Sequence, residues 1–277
     1  MSLLRRAMGM RRAAMGRMMR RVSTARAKTP KAGIERPANM SSVAGRATLF
    51  VTSLAASVAL IDPAVLYFAR NASPGLISAF EAITGLGRSW WILWPTAAAI
   101  AALAVLLRQE RSRKLSAAYQ YAIGLLALIF ASVAVTSLIV NALKLAIGRA
   151  RPKLFDTLGA VEFSPFSGSS DFASFPSGHA ANIFALAVAL GFVLPRGRYL
   201  LLAFASAVAA SRFMTAKHYL TDVIAGAAIG WLVALAIQRW FELRGILFAR
   251  RADDTRRVKG GELVAWGWSK LGAKVFG

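Results

Sequence analysis

The 277-residue sequence contains no cysteine, so neither a disulfide nor a thiolate metal site can form. It has only two histidines, His179 and His218, too few for a multi-histidine metal centre. Acidic residues are scarce as well: 12 Asp and Glu stand against 35 Lys and Arg, giving a formal net charge of +23. A balance that basic raises nucleic acid as a partner. The basic residues, however, flank apolar runs and do not form one face of a compact domain, so no nucleic-acid partner is expected. What the chain has in abundance is apolar side chain, 57% of residues against 17% charged. With a mean hydropathy of +0.52, this is the composition of an integral membrane protein.

Crossing ~30 Å of hydrocarbon takes roughly 20 helical residues. Apolar runs of about that size lie at 47–69, 90–107, 118–143, 180–194, 199–212 and 219–240, which predicts an all-α polytopic protein with six transmembrane helices. The fourth and fifth are short and joined only by "PRGR", as in a tight helical hairpin. Asp62-Pro63 interrupts the first run, where proline would kink the helix or end it near an interface. Basic residues concentrate before residue 47, in 108–117, in 195–198 and from Arg239 onward, all on one side of a six-span map. The positive-inside rule makes that side cytoplasmic, with both termini there and the 70–89 segment, the 152–178 loop and the short link around Lys217 outside. The expected address is a bacterial inner membrane, with an organellar membrane as the lesser alternative.

Three segments follow: a basic N-terminal tail at 1–46, a membrane domain at 47–240 and a basic C-terminal tail at 241–277. The first tail carries twelve Lys and Arg against one acid, Glu35. It reads as a cytoplasmic tail on anionic lipid, with a transit peptide or a translation start at Met40 as alternatives. The tryptophans and lysines of "LVAWGWSKLGAKVF" would suit an interfacial helix. The pattern fixes no oligomeric state.

Polar residues that do not belong in membrane spans gather in three places. Lys144 and Arg151 are seven residues apart, two helical turns, before Pro152. Pro176-Ser177-Gly178-His179 opens the fourth span. Arg212 precedes His218 and Asp222, which are four apart and so neighbours on a helix face. Singly, each has an ordinary explanation: snorkelling cations, a turn, a surface His–Asp pair. On the six-span map, however, all three fall at extracytoplasmic helix ends. Lys144, Arg151 and Arg212, with the backbone N–H groups of Ser177 and Gly178, compose a receptor for a phosphate dianion. Two histidines facing it can divide phosphoryl transfer, one neutral to attack and one protonated to release the leaving oxygen. His218 is the expected nucleophile, held by Asp222, and His179 the expected general acid.

This three-part pattern, Lys144 through Arg151-Pro152, Pro176 to His179, and Ser211-Arg212 through His218 to Asp222, resembles the signature of the type 2 phosphatidic acid phosphatases, relatives of the vanadium haloperoxidases. The resemblance implies the same roles: Lys144, Arg151, Arg212, Ser177 and Gly178 bind the phosphoryl group, His218 forms a phosphohistidine, His179 protonates the leaving group and Asp222 supports His218. It also implies metal-independent catalysis without a cofactor. Arg149 lies on a different helical face from Lys144, and Lys217 fills a position the pattern leaves open, so neither is assigned to catalysis.

A site at the outer ends of membrane helices puts the reacting phosphate at headgroup level and favours a lipid phosphate or pyrophosphate. Phe80, Trp90, Trp91 and Trp94 would lie at the same interface, as anchors or as substrate contacts. Phosphatidic acid, phosphatidylglycerol phosphate, undecaprenyl pyrophosphate and the phosphates of lipid A are the substrates the resemblance implies. "GRARPKLFD" and "HYL" look more like bacterial members, including lipid A 1-phosphatases. Rival readings are a vanadate haloperoxidase, disfavoured by the membrane spans, and a non-catalytic lipid-binding or transport protein, which has no need of two histidines with an aspartate one turn away. A lipid phosphotransferase is not separable by sequence.

Overall fold

The computed structural model describes residues 58–250 and 256–258, together with Gly45 and Thr48. Among these, α1 covers 58–70, α2 Pro74–Thr84, α3 Trp90–Gln109, α4 Arg113–Ile147, α5 Gly178–Val193, α6 Arg198–Met214 and α7 Leu220–Leu243. A short antiparallel pair, β1 Phe248–Arg250 with β2 Arg256–Val258, follows α7.

The longest helix shows how local chemistry sets the boundaries. Ser112 caps α4 by accepting the Leu115 N–H, and after 35 helical residues Gly148 ends it in the left-handed region at φ 64°. The Gly148 N–H still bonds the Lys144 carbonyl. A side chain at Gly148 would collide with the Ser164 carbonyl, 2.0 Å from where its Cβ would lie. The chain after the helix thus folds back against its end. Ser164 N–H to Gly148 O, Ala150 N–H to Glu162 O, Arg151 N–H to Asp171 O and Ser174 N–H to Arg149 O pin this long loop as a cap on the bundle.

Helices α5 and α7 meet with almost no side chain between them. A Cβ on Gly226 would lie 2.3 Å from Ser177 O, and one on Gly230 would lie 2.0 Å from Ala181 O. The spacing Gly226-xxx-Gly230 puts both glycines on one helix face, against Ser177 and against Ala181 and Ala185 of α5, all 0% exposed. The seam brings the start of α5 against the start of α7, where the Ser177 N–H donates to Asp222 O at 2.9 Å. Ile92, Leu128, Val133, Ala185, Ala189 and Phe241 form the main core. Leu138, Leu200, Leu232 and Trp94 instead project outward, at 64 to 76% exposure, as lipid-facing side chains do.

The protein is a helical membrane protein. Pro74–Gln109, Arg113–Ile147 and Leu220–Leu243 are each long and apolar enough to cross a bilayer, while α5 and α6 have only 16 and 17 residues. Helices occupy each expected apolar run as far as it is described, with differences elsewhere. The first helix continues through Pro63 to residue 70. Asp62 lies at no exposed boundary but is wholly buried, its carboxylate bonded to neighbouring segments. The segment 70–89, expected outside the membrane spans, contains α2, which has no buried residue. The β-pair occupies the start of the tail, and the expected interfacial helix falls outside the described residues. So, apart from Gly45, does the N-terminal tail.

Candidate active site

Helices α4 and α6 run toward one end of the bundle, and α5 and α7 start from it. Asp222 is the centre of that end. It occupies the first turn of α7, where a carboxylate is favoured by the free N–H groups and the helix dipole. Its Oδ2 accepts the Tyr219 N–H at 2.9 Å and the Ser174 hydroxyl at 2.6 Å; its Oδ1 accepts Arg149 Nη1 at 2.6 Å. His218 Nδ1 faces Oδ2 at 3.6 Å, longer than a hydrogen bond, and meets no hydrogen-bond partner among the described residues. Burial pushes the His218 imidazole down to about 4, and Lys144 and Arg212 add to the shift while Asp222 opposes it. The ring is therefore held neutral.

The cations converge around this pair. Lys144 reaches across to the carbonyls of Ala173 and Ser174. Arg151, half-buried, donates from Nε to Ser170 O at 2.7 Å and from Nη1 to Lys217 O at 3.4 Å. Arg212 is buried at the end of α6 and donates to Thr84 Oγ1 at 2.6 Å, while its Nε meets no partner among the described residues. The Arg212 carbonyl accepts the N–H groups of Lys217 and His218, a tight turn that fixes the histidine relative to the arginine. All three cations lie within electrostatic reach of one another. Ser177, at the start of α5, has a buried Oγ without a partner among the described residues, and Gly178 packs beside Val140 and Lys144. His179, half-buried, lies within electrostatic reach of Arg212 and His218. A cluster of cations with two buried donors that lack partners among the described residues, Ser177 Oγ at a helix start and Arg212 Nε at a helix end, is suited to a phosphate group.

Two contributions were not legible in the three sequence clusters. The turn Gly85–Gly87 lies directly on His179: a Cβ on Gly87 would be 2.7 Å from the His179 Cβ. Exposed Arg88 follows it, within electrostatic reach of Arg212 and His179. The second is Arg149, set aside above on helical-face grounds. Because Gly148 ends α4, the helical spacing no longer applies one residue later, and Arg149 turns inward to 1% exposure. It bridges Asp222 and Asp62, 2.6 and 2.8 Å away, donates to Thr221 Oγ1 and Ala160 O, and lies 4.2 Å over the Tyr219 ring. Among the described residues, no group of three or more His, Asp or Glu is placed to hold a metal ion.

Fold and site together define a membrane-embedded helical protein with three cations, two histidines and a buried aspartate gathered at one end of its bundle. The sequence pattern of the PAP2 superfamily matches residues 124–246. The lipid A 1-phosphatase of Rhizobium johnstonii is 39% identical over 176 residues, 62% of this chain and 71% of that protein. The lipid A 1-phosphatase of Rhizobium etli is 37% identical over 213 residues, 75% of this chain and 90% of that protein. The crystal structure of a transmembrane PAP2-type phosphatidylglycerolphosphate phosphatase from Bacillus subtilis superposes with a TM-score of 0.48 at 24% identity, covering 70% of this chain and 92% of that one. The chain belongs to the PAP2 superfamily, and it is a membrane phosphatase of that family.

Proposed function

We propose that the protein hydrolyses a lipid phosphate monoester or pyrophosphate at the extracytoplasmic face of a bacterial inner membrane, through a phosphohistidine and without a metal. The observation that carries this reading is the neutral, buried His218, with Nδ1 turned to Asp222, beside Lys144, Arg151 and Arg212. Since Nδ1 faces the carboxylate, Nε2 is the nucleophile. Its attack on phosphorus forms an N–P bond and breaks the P–O bond to the lipid; His179, pushed down to about 3 by burial and then by Arg212 and the other neighbouring cations, takes up a proton as the phosphate dianion offsets those charges and gives it to the departing oxygen. Asp222 stabilises the imidazolium as it forms. Water then attacks the phosphohistidine, His179 takes back a proton, and phosphate leaves. Lys144, Arg151, Arg212, the Ser177 hydroxyl and the Gly178 backbone N–H neutralise the phosphoryl oxygens throughout, the Ser177 N–H being already given to Asp222 O.

The similarity to two lipid A 1-phosphatases supports a phosphate on a lipid-linked sugar as the preferred substrate. The basic segments at 108–117 and 195–198 support the orientation with the site outside. Purified protein with excess EDTA, assayed on lipid A, phosphatidic acid, phosphatidylglycerol phosphate and undecaprenyl pyrophosphate, tests activity and preference together. Phosphate release from lipid A undiminished by EDTA is expected. Release dependent on added metal, or unchanged in His218→Ala, overturns the mechanism. A reporter fused after Phe155 reads the orientation, and a cytoplasmic signal overturns it.

A further inference from the structure

Between the phosphate pocket and the first helix runs a buried array of alternating charge: Asp62, Arg149, Asp222, then His218. Asp62 is 0% exposed, Arg149 1% and Asp222 0%. Asp62 accepts from Arg149 Nη2, from the Thr221 N–H at 3.0 Å and from the Thr221 hydroxyl. Arg149 is thus held from one side by Asp62 and Ala160 O and presented on the other to Asp222 Oδ1. None of its described bonds reaches toward the phosphate-binding cations, and its guanidinium lies over Tyr219 instead.

We propose that Asp62 and Arg149 are positioning residues for the phosphoryl-transfer step, fixing the Asp222 carboxylate so that Oδ2 stays ionised and aimed at His218 Nδ1. The inference rests on the nucleophile assigned to His218 above. The reasoning is one of lone pairs and charge. Asp222 accepts from Arg149, Ser174 and the Tyr219 backbone, which favours its ionised form and fixes the carboxylate plane. A carboxylate left to one arginine would be closely neutralised and a weak acceptor for imidazolium. Here the arginine is divided between two carboxylates, so Asp222 keeps acceptor strength for the ring that becomes cationic when phosphorus bonds to Nε2. The 3.6 Å gap from Nδ1 to Oδ2 would close as that charge develops.

The test compares Arg149→Gln, Asp62→Asn and the double variant with the unmodified protein in detergent, using kcat per folded molecule, KM and the pH dependence of kcat/KM. The groups facing His218 are Asp222 on α7, Lys144 on α4, Arg212 on α6 and His179 on α5. Removing the Arg149 charge makes Asp222 harder to ionise and His218 easier to protonate. Both effects move the acid limb of the pH profile upward. Arg149→Gln is expected to lower kcat roughly ten- to a hundredfold, the usual range for a residue that orients a ligand-binding group, with KM within about twofold and the acid limb moved up. Asp62→Asn, which keeps side-chain shape, should lower kcat with KM unchanged, and the double variant should cost less than the product of the two singles. Folded Arg149→Gln or Asp62→Asn with unmodified kcat and pH profile overturns the proposal; so does a loss expressed only as rising KM. If Arg149→Gln does not fold, Asp62→Asn decides alone. Activity surviving in His218→Ala would instead remove the underlying mechanism, a result distinct from either.

Discussion

His218 Nδ1 stands 3.6 Å from Asp222 Oδ2, in a pair whose side chains are 3% and 0% exposed. Within that pair Asp222 is already engaged by a serine, an arginine and a backbone N–H, whereas His218 Nδ1 has no hydrogen-bond partner among the described residues. The carboxylate is built in place, and the imidazole is the member free to adjust. His218→Ala is therefore expected to abolish phosphate release, and Asp222→Asn to lower kcat by about a hundredfold or more, as loss of an orienting carboxylate does in other His-dependent sites. Single-turnover assays with radiolabelled lipid phosphate should show the acid-labile phosphoenzyme in the unmodified protein and none in His218→Ala.

The depressed basicity of His218 fixes the sign of two pH effects. Its neutral form persists down to about 4 in the folded protein, against an ordinary value of 6.5. The acid limb of kcat/KM, which reports the free enzyme, should lie below pH 5 if His218 sets it, and an acid limb at 6.5 would contradict the assignment. Stability follows the same asymmetry. Between 6.5 and about 4 the unfolded chain binds a proton that the folded chain does not, so this group's contribution to stability, full above 6.5, is lost as pH falls through that window. Thermal unfolding in detergent across pH 4 to 7 measures it, and His218→Ala should flatten the dependence.

The cations should act on binding and on chemistry to different degrees. Arg212, whose buried Nε has no partner among the described residues, is expected to touch phosphate directly, and Arg212→Ala should reduce kcat/KM at least about a hundredfold. Arg88, exposed at the rim, should affect ground-state binding: Arg88→Ala is expected to raise KM a few-fold with kcat unchanged. A large fall in kcat for Arg88→Ala would place it among the reacting groups instead.

The glycine seam gives a structural prediction with two readouts. Gly230→Ala must push α7 from Ala181 O, and Gly226→Ala from Ser177 O. Each should cost about 1–3 kcal/mol of stability, the usual range for overpacking a filled contact. Only Gly226→Ala shifts the backbone of the phosphate pocket, so it should also lower kcat in the fraction that remains folded. Equal activity loss in both would contradict this separation.

The helices were legible because apolar runs of membrane length leave few alternatives, and the three polar clusters stood out against them. Lys144, Arg151, Ser177, Gly178, His179, Arg212, His218 and Asp222 all come to the same end of the bundle. What the sequence concealed has particular causes. Helical spacing from Lys144 does not hold for Arg149, because Gly148 ends the helix one residue before it. Asp62 was read for its proline neighbour, since its partners are 87 and 159 residues away and no local spacing records them. The Gly226 and Gly230 pair lay unnoticed inside an ordinary apolar span, because closeness between backbones is a property of the packed pair of helices. The β-pair gave no alternating apolar pattern, being a short basic ribbon.

The tie from Asp62 to Arg149 has a consequence for how much chain makes a working enzyme. Residues 124–246 contain both histidines, Asp222 and the three assigned cations, and a minimal catalytic fragment could be drawn around them. Such a fragment would keep every group assigned to touch phosphate and yet leave Arg149 with Asp222 as its only acidic partner among the described bonds. On the positioning role proposed for Asp62, the unit needed for chemistry begins earlier than the recognisable signature, at the helix that supplies the counter-ion.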